Sequence, residues 1–258
     1  MSKVFTTEIT SDQLLSDNPL HQRLLKAYVA MEDYIVGNVL EVGCGEGRGI
    51  ELILKKAKSY TAIDKIEAVI NTLKIKYPAG RFLSGNIPPF EGLESNSFDT
   101  VISFQVIEHI QDDAFFLKEI NRVLKPDGKA YLTTPNRVMS LSRNPWHIRE
   151  YTADELLSLA HEHFAEASMK GISGDDMVMA YYERNKKSVK KIARLDFLNL
   201  QQRLPAGLYK IPYELLNRWN RNKLKDADDE LVASITHENY IVTDKVAEAL
   251  DLFLIVRK

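Results

Sequence analysis

The sequence predicts an α/β fold, a mostly parallel sheet covered by helices on both faces. Two observations carry this. Short apolar runs alternate with helix-length amphipathic stretches over residues 37–173, and a cluster of glycines stands where the first run meets the first helix. Strands buried on both faces read as near-continuous apolar runs, because helices cover them from either side. Crossovers between parallel strands of one sheet are right-handed almost without exception.

A helical segment opens the chain over residues 1–36. From Asp12 to Val36, Leu14, Leu15, Leu24, Leu25, Tyr28, Val29 and Tyr34 recur at mixed helical spacing, with a break expected near Asn18-Pro19. NVLEVG (38–43) reads as the first strand and GIELILKKA (49–57) as a helix. SYTAID (59–64) is a strand, KIEAVINTLKIKY (65–77) a helix, and RFLSGN (81–86) a strand before a Pro-rich loop. SFDTVISF (97–104) is the fourth strand, followed by a helix over 106–124. PDG then turns the chain into the strand KAYLTTP (129–135). TADELLSLAHEHF (152–164) is a helix, AEASMKGIS (165–173) a strand, and DLFLIVRK a last strand.

Residues 174–250 do not follow the alternation. They hold two long helical patterns, DDMVMAYYERNKKSVKKIARLDFLNLQQRL and PYELLNRWNRNKLK. With no repeat or low-complexity linker, this reads as a helical insertion within one unit spanning 1–258. Loops this long are uncommon without a purpose, so it is expected to cap a ligand pocket. Tyr181, Tyr182, Phe197, Tyr209, Tyr213 and Trp219 are its candidate lining residues, or else they pack the cap onto the sheet.

A chain of 258 residues can bury roughly 70–75% of its unfolded surface, enough for a core without staples. Its single cysteine, Cys44, excludes an internal disulfide and a multi-cysteine zinc site. No apolar run has the length of a spanning helix, and the first residues lack the order of a secretion signal. A soluble cytoplasmic protein is expected. A net charge of −2 provides no global attraction to nucleic acid or anionic lipid. The run ERNKKSVKKIAR holds six basic residues and one acid. It is either a solvated helix face or a local patch that steers an anionic acceptor or touches a membrane surface.

VLEVGCGEGRG sets Gly43, Gly45, Gly47 and Gly49 between the first strand and the first helix. Glycines let backbone amides approach a ligand, and a helix N-terminus favours anionic groups. A dinucleotide fingerprint would need glycine at Arg48, and a Walker loop would need Gly-Lys-Ser/Thr; neither is present. Asp64 ends the second strand, 21 residues beyond Gly43. An acid there can accept from both hydroxyls of a ribose, or serve as a helix N-cap. Cys44 has no base beside it in sequence and is not expected to be a nucleophile.

LEVGCGEG, the strand ending in Asp64, SFDTVISFQVIEHI and EINRVLKPDGKAYLTTPN, in this order, resemble the class I S-adenosylmethionine-dependent methyltransferases. The resemblance covers residues 37–173 and the last strand. It implies a Rossmann-like sheet of seven strands with the last one antiparallel, and S-adenosyl-L-methionine as cofactor. It also implies that Glu41, Gly43, Gly45 and Gly47 lie along the methionine end and that Asp64, with Lys65 beside it, holds the ribose. Gln105 would border the cofactor. The family often has Asp after the third strand, toward the adenine amine. Here Asn86, followed by Ile87, takes that place; its oxygen can still accept from an amine, or Asn86 is a turn residue.

The acceptor side of such folds is built from the ends of the fourth and fifth strands and from insertions. Glu108 and His109 stand after the fourth strand, in catalytic roles or as structural support beneath the cofactor loop. NPWHIREYT follows the fifth strand. Thr152 and Glu155 in it have capping-box spacing, which explains the helix start but not His147. His147 is the candidate acceptor-side base, the other readings being a structural hydrogen bond or a surface role. Trp146, Arg149 and Tyr151 are candidate substrate contacts. Small-RNA 2′-O-methyltransferases look similar here and bind a divalent ion through acid-x-x-Glu-His and a later histidine. Gln105 replaces the first carboxylate, so no metal is assigned. The expected reaction is methyl transfer to O or N of a small-molecule or sugar-like acceptor. An RNA methyltransferase, a non-catalytic cofactor-binding protein and a dinucleotide oxidoreductase are the alternatives. Oligomeric state is left open.

Overall fold

The computed structural model describes residues 14–194 and 205–258. Asp12 and Phe197 lie outside the described residues. Within them the strands are β1 Asn38–Val42, β2 Ser59–Asp64, β3 Arg81–Ser84, β4 Phe98–Phe104, β5 Leu124–Pro135, β6 Glu166–Gly174, β7 Tyr240–Thr243 and β8 Asp251–Arg257. They form one sheet in the order β3-β2-β1-β4-β5-β8-β6-β7. The pairs among β1 to β5 are parallel, while β8 runs antiparallel between β5 and β6, as the last strand was expected to.

Eight strands replace the expected seven. The extra one is β7, which lies inside 174–250 and pairs antiparallel with β6. Only four residues long, it has Tyr240 buried and Ile241 and Val242 exposed. That is too short for periodicity to separate it from the helical pattern around it.

The helices are α1 Asn18–Met31, α2 Ile50–Lys56, α3 Glu67–Lys76, α4 Asp113–Val123, α5 Ala153–His161, α6 Asp176–Ala193, α7 Ala206–Ala227 and α8 Asp229–Ser234. Side chains alternate across the sheet and feed two cores. Leu40, Val101 and Leu252 pack with Phe116, Ile120 and Leu156 of α4 and α5. Their neighbours Val39, Ile102 and Phe253 pack on the other face with Met31, Ile50 and Val178 of α1, α2 and α6.

Two local expectations are corrected. Asn18-Pro19 is the start of α1 rather than a break within a longer helix, because proline in a first turn loses no hydrogen bond. The helix expected over 106–124 is a 3-10 turn at Ile107–His109 followed by α4. Ile110 is extended, and the Asp112 carboxylate caps α4 by accepting from Phe115 N at 2.9 Å. Glu108 and His109 therefore sit in a separate turn at the sheet edge.

The start of the chain is tied to residues far along it. Asn18 Nδ2 donates to Val232 O and Ile235 O at 2.8 Å each, and Tyr240 Oη donates to Pro19 O at 2.6 Å. Buried Asp17 accepts from Arg218 and Arg221 of α7 at 2.7 and 2.9 Å. No described helix is long and apolar enough to cross a membrane.

Candidate active site

A cavity of about 380 Å³ opens at the carboxyl edge of β1, β4 and β5. Its floor includes Gly43, Cys44, Gly45 and Gln105; Glu108, His109 and His147 form one side. Tyr182, Asn185 of α6 and Tyr213, Asn217 of α7 close it from above.

The glycine loop is shaped for close approach. Gly43 has φ +78°, and a Cβ there would lie 2.4 Å from Val106 Cγ2. Gly45 has φ +49° and faces open space, with nothing within 4 Å of where a Cβ would stand. Its N–H donates to Asp64 Oδ2 at 2.8 Å, while Asp64 Oδ1 accepts from Ile66 N at 2.9 Å. The carboxylate thus braces the loop through a local turn, and the N-cap position of α3 falls to Ile66. Open space before a glycine backbone beside an acid at the β2 end fits an adenosyl amino-acid ligand.

Beneath the loop, Glu41 is 1% exposed. Tyr28 Oη donates to its Oε1 at 2.6 Å, and Tyr60 Oη donates to Oε2. Burial pushes this carboxyl up to about 7, against the two phenol hydrogen bonds. Burial also pushes the Cys44 thiol far above its usual range, which favours its protonated form.

At the end of β4, Gln105 adopts φ +58°. Its N–H donates to Thr133 O at 2.8 Å and its Nε2 to Thr133 Oγ1 at 3.3 Å, which hold the strained backbone to β5. Glu108 is buried, accepts from Thr134 Oγ1 at 2.9 Å, and is raised to about 7 chiefly by burial. Its backbone oxygen accepts from Ile148 N at 2.7 Å, which joins this turn to the NPWHIREYT loop.

That loop orients His147. Asn144 Oδ1 accepts from Trp146 N at 3.1 Å, so its Nδ2 faces His147 Nε2 at 2.7 Å. Nε2 is then the acceptor nitrogen, and Nδ1–H donates to Glu150 Oε1 at 2.6 Å. Ser140 Oγ donates to the other Glu150 oxygen. His109 Nδ1 lies 2.9 Å from Trp146 O, and its ring meets His147 edge-on at 5.0 Å. One ligand-type atom from each of Glu108, His109 and His147 lies within 4.8 Å of the other two, a group able to hold a metal ion.

Not every residue anticipated for the site reaches it. Arg149 Nη1 and Tyr151 Oη both donate to Asp113 Oδ2, at 2.6 and 2.8 Å, and neither lines the cavity. Trp146 also lies off it, with Lys210 Nζ 3.5 Å from its ring centroid. Asp113 thus anchors Arg149 and Tyr151, and Lys210 lies over the Trp146 ring. Lys65, Asn86 and Ile87 follow β2 and β3 outside the cavity, the first two exposed and Ile87 packed on the core. Of the aromatics expected above the pocket, Tyr181, Tyr182 and Tyr213 line it, Tyr209 is buried elsewhere, and Trp219 faces outward.

Residues 40–132 match the sequence model of the methyltransferase domain family. Over 141 residues the chain is 40% identical to a probable S-adenosylmethionine-dependent methyltransferase of Mycobacterium tuberculosis, covering 52% of this chain and 51% of that one. Over the matched residues the chain is similar to S-adenosylmethionine-dependent methyltransferases. It is also 30% identical over 115 residues to a ubiquinone biosynthesis O-methyltransferase of Xanthomonas euvesicatoria, covering 43% of this chain and 48% of that one. It thus spans about half the length of these relatives. The fold is shared with a Thermotoga maritima structure described as a possible histamine N-methyltransferase. The TM-score is 0.56 at 15% identity, over 93% of this chain and 91% of that one.

Several site residues were not anticipated from sequence. Tyr60 could not be matched to Glu41, nor Glu150 and Asn144 to His147, until the fold brought them together. Arg23 of α1 lines the cavity with its Nε 3.1 Å from Asp251 Oδ2 of β8, a pair drawn from distant parts of the chain. Only the three-residue spacing of Asn144, His147 and Glu150 was a signal available in the sequence.

Proposed function

We propose that this chain is a methyltransferase, which transfers the methyl group of S-adenosylmethionine to an oxygen or nitrogen of a small-molecule or sugar-like acceptor in the cytoplasm. The carrying observation is that His147, fixed by Glu150 at 2.6 Å, lines the same cavity as Gly43 and Gly45. The O-methyltransferase relative supports oxygen as the acceptor atom, and a lone buried Cys44 fits a reducing compartment.

S-adenosylmethionine supplies an electrophilic sulfonium methyl. Gly43, Gly45 and the Asp64 carboxylate would hold it, with Gln105 at its reacting end. Holding the acceptor in line is the larger contribution, about 7–11 kcal/mol in well-oriented reactions. The α6–α7 segment acts as the cap that excludes water. Burial raises the Tyr213 phenol to about 12, so it stays a neutral hydrogen-bonding group against the acceptor. An acceptor hydroxyl that displaces the Asn144 amide meets His147 Nε2 and gives up its proton there. Glu150 stabilises the imidazolium that results.

With methyl-labelled S-adenosylmethionine and panels of phenols, sugars and amines, His147→Ala should lower turnover by ~10²–10⁴-fold. S-adenosylhomocysteine affinity should be unchanged. Equal turnover in variant and wild type refutes the assignment of the base.

One observation favours a second reading, the convergence of Glu108, His109 and His147. A divalent cation there would polarise the acceptor oxygen in place of a histidine base. Metal analysis of the purified protein, with activity before and after chelation, separates the two. Metal-free protein of full activity removes this reading.

A further inference from the structure

Helix α7 is amphipathic with the opposite sense to a cap facing water. Tyr213, Asn217, Asn220 and Arg221 line the cavity, so its polar side looks inward. Its outer side carries Leu208, Ile211, Leu215 and Trp219, exposed by 68%, 70%, 68% and 53%. Spacings of three and four residues put them in one stripe along the helix. Single exposed apolar side chains are ordinary, but a continuous stripe of large ones marks a surface that meets something apolar.

Charge identifies that partner. α6 and α7 each carry five Lys or Arg against two Asp or Glu, in a chain whose net charge is −2. The two helices lie side by side, joined by Ser188 Oγ to Asn220 at 2.6 Å and Asn220 Nδ2 to Asn185 at 2.8 Å. Lys187, Lys190 and Lys191 are exposed on α6, and Lys223 Nζ sits 5.1 Å from the Trp219 ring centroid. A two-fold contact between copies would set this basic flank against itself.

We propose that the outer face of α7, with the lysines beside it, docks on an anionic lipid surface. Leu208, Ile211, Leu215 and Trp219 enter the boundary between headgroups and acyl chains, and the lysines reach the anionic headgroups. The cavity lies behind this same helix, so docking brings it to the bilayer, where an amphiphilic acceptor can enter. That last consequence rests on the methyltransferase reading; the docking does not.

The test is flotation of the full chain with vesicles of phosphatidylcholine alone or mixed with phosphatidylglycerol. The protein should float with the mixed vesicles, with a blue shift in Trp219 emission, and lose this in pure phosphatidylcholine or high salt. Ile211→Glu combined with Leu215→Glu should lower partitioning roughly tenfold or more. Its thermal midpoint and S-adenosylhomocysteine affinity should not change. Should that variant misfold, charge reversal at Lys187, Lys190 and Lys191 provides the same comparison. No flotation, equal flotation of the variants, or a stripe-dependent dimer without vesicle binding would overturn the proposal. Flotation without S-adenosylhomocysteine binding would leave it standing and remove the function proposed above.

Discussion

Glu41 shows what a short motif conceals. The acid before the glycine loop was recognisable in sequence, but not its clamp between Tyr28 and Tyr60, because α1 gives no sign of which strand it covers. A carboxyl raised by burial to about 7 binds more protons folded than unfolded. Stability therefore falls as pH rises from about 4.5 to 7 and is flat above that, by on the order of 3 kcal/mol for one such group. Glu108, raised to about 7 as well, adds a similar fall. Glu41→Gln should remove roughly half of the combined effect, read as urea midpoints from pH 5 to 8. An unchanged slope would mean that Glu41 is ionised throughout. Gly45 and Asp64 are the counter-case: the sequence marked a glycine loop and an acid after the second strand, and the two are hydrogen-bonded to each other.

The loop after β5 divides its labour among neighbours. Thr152 and Glu155 form the capping box their spacing announced, with both reciprocal hydrogen bonds present. Arg149 and Tyr151 were read as facing an acceptor, because four functional side chains close together look like a site. In the fold both donate to Asp113 at the start of α4. Sequence could not reveal this, since Asp113 belongs to the helix whose start was masked by apolar Ile107 and Ile110. Asp113→Ala should strand buried Tyr151 without a partner and cost about 2–3 kcal/mol, measured as the shift of the denaturation midpoint. Turnover should fall with it as His147 loses its support. A stable variant with full turnover would show that the loop holds itself.

Over the whole chain, the alternation from residue 37 to 173 marked the first six strands along the sequence, and the family resemblance implied the antiparallel last one. The alternation failed in 174–250, where β7 is too short and helical spacing alone cannot say which side of α7 is outside. The seam between the two ends of the chain is likewise invisible in sequence. Asp17 meets Arg218 and Arg221 only because α7 folds back onto the first turn of α1. Removing a buried partner leaves charge unbalanced, so Asp17→Ala should cost about 2–3 kcal/mol. It should also loosen α7, raising KM for the acceptor more than S-adenosylhomocysteine affinity. Calorimetry with S-adenosylhomocysteine on the wild type and Asp64→Ala, with NAD as control, bears most directly on the central claim that the β1 loop and β2 acid hold this cofactor. The account predicts one site per chain, at least tenfold weaker in Asp64→Ala by loss of charged hydrogen bonds, and no heat with NAD. Binding of NAD, or S-adenosylhomocysteine binding indifferent to Asp64, would contradict it.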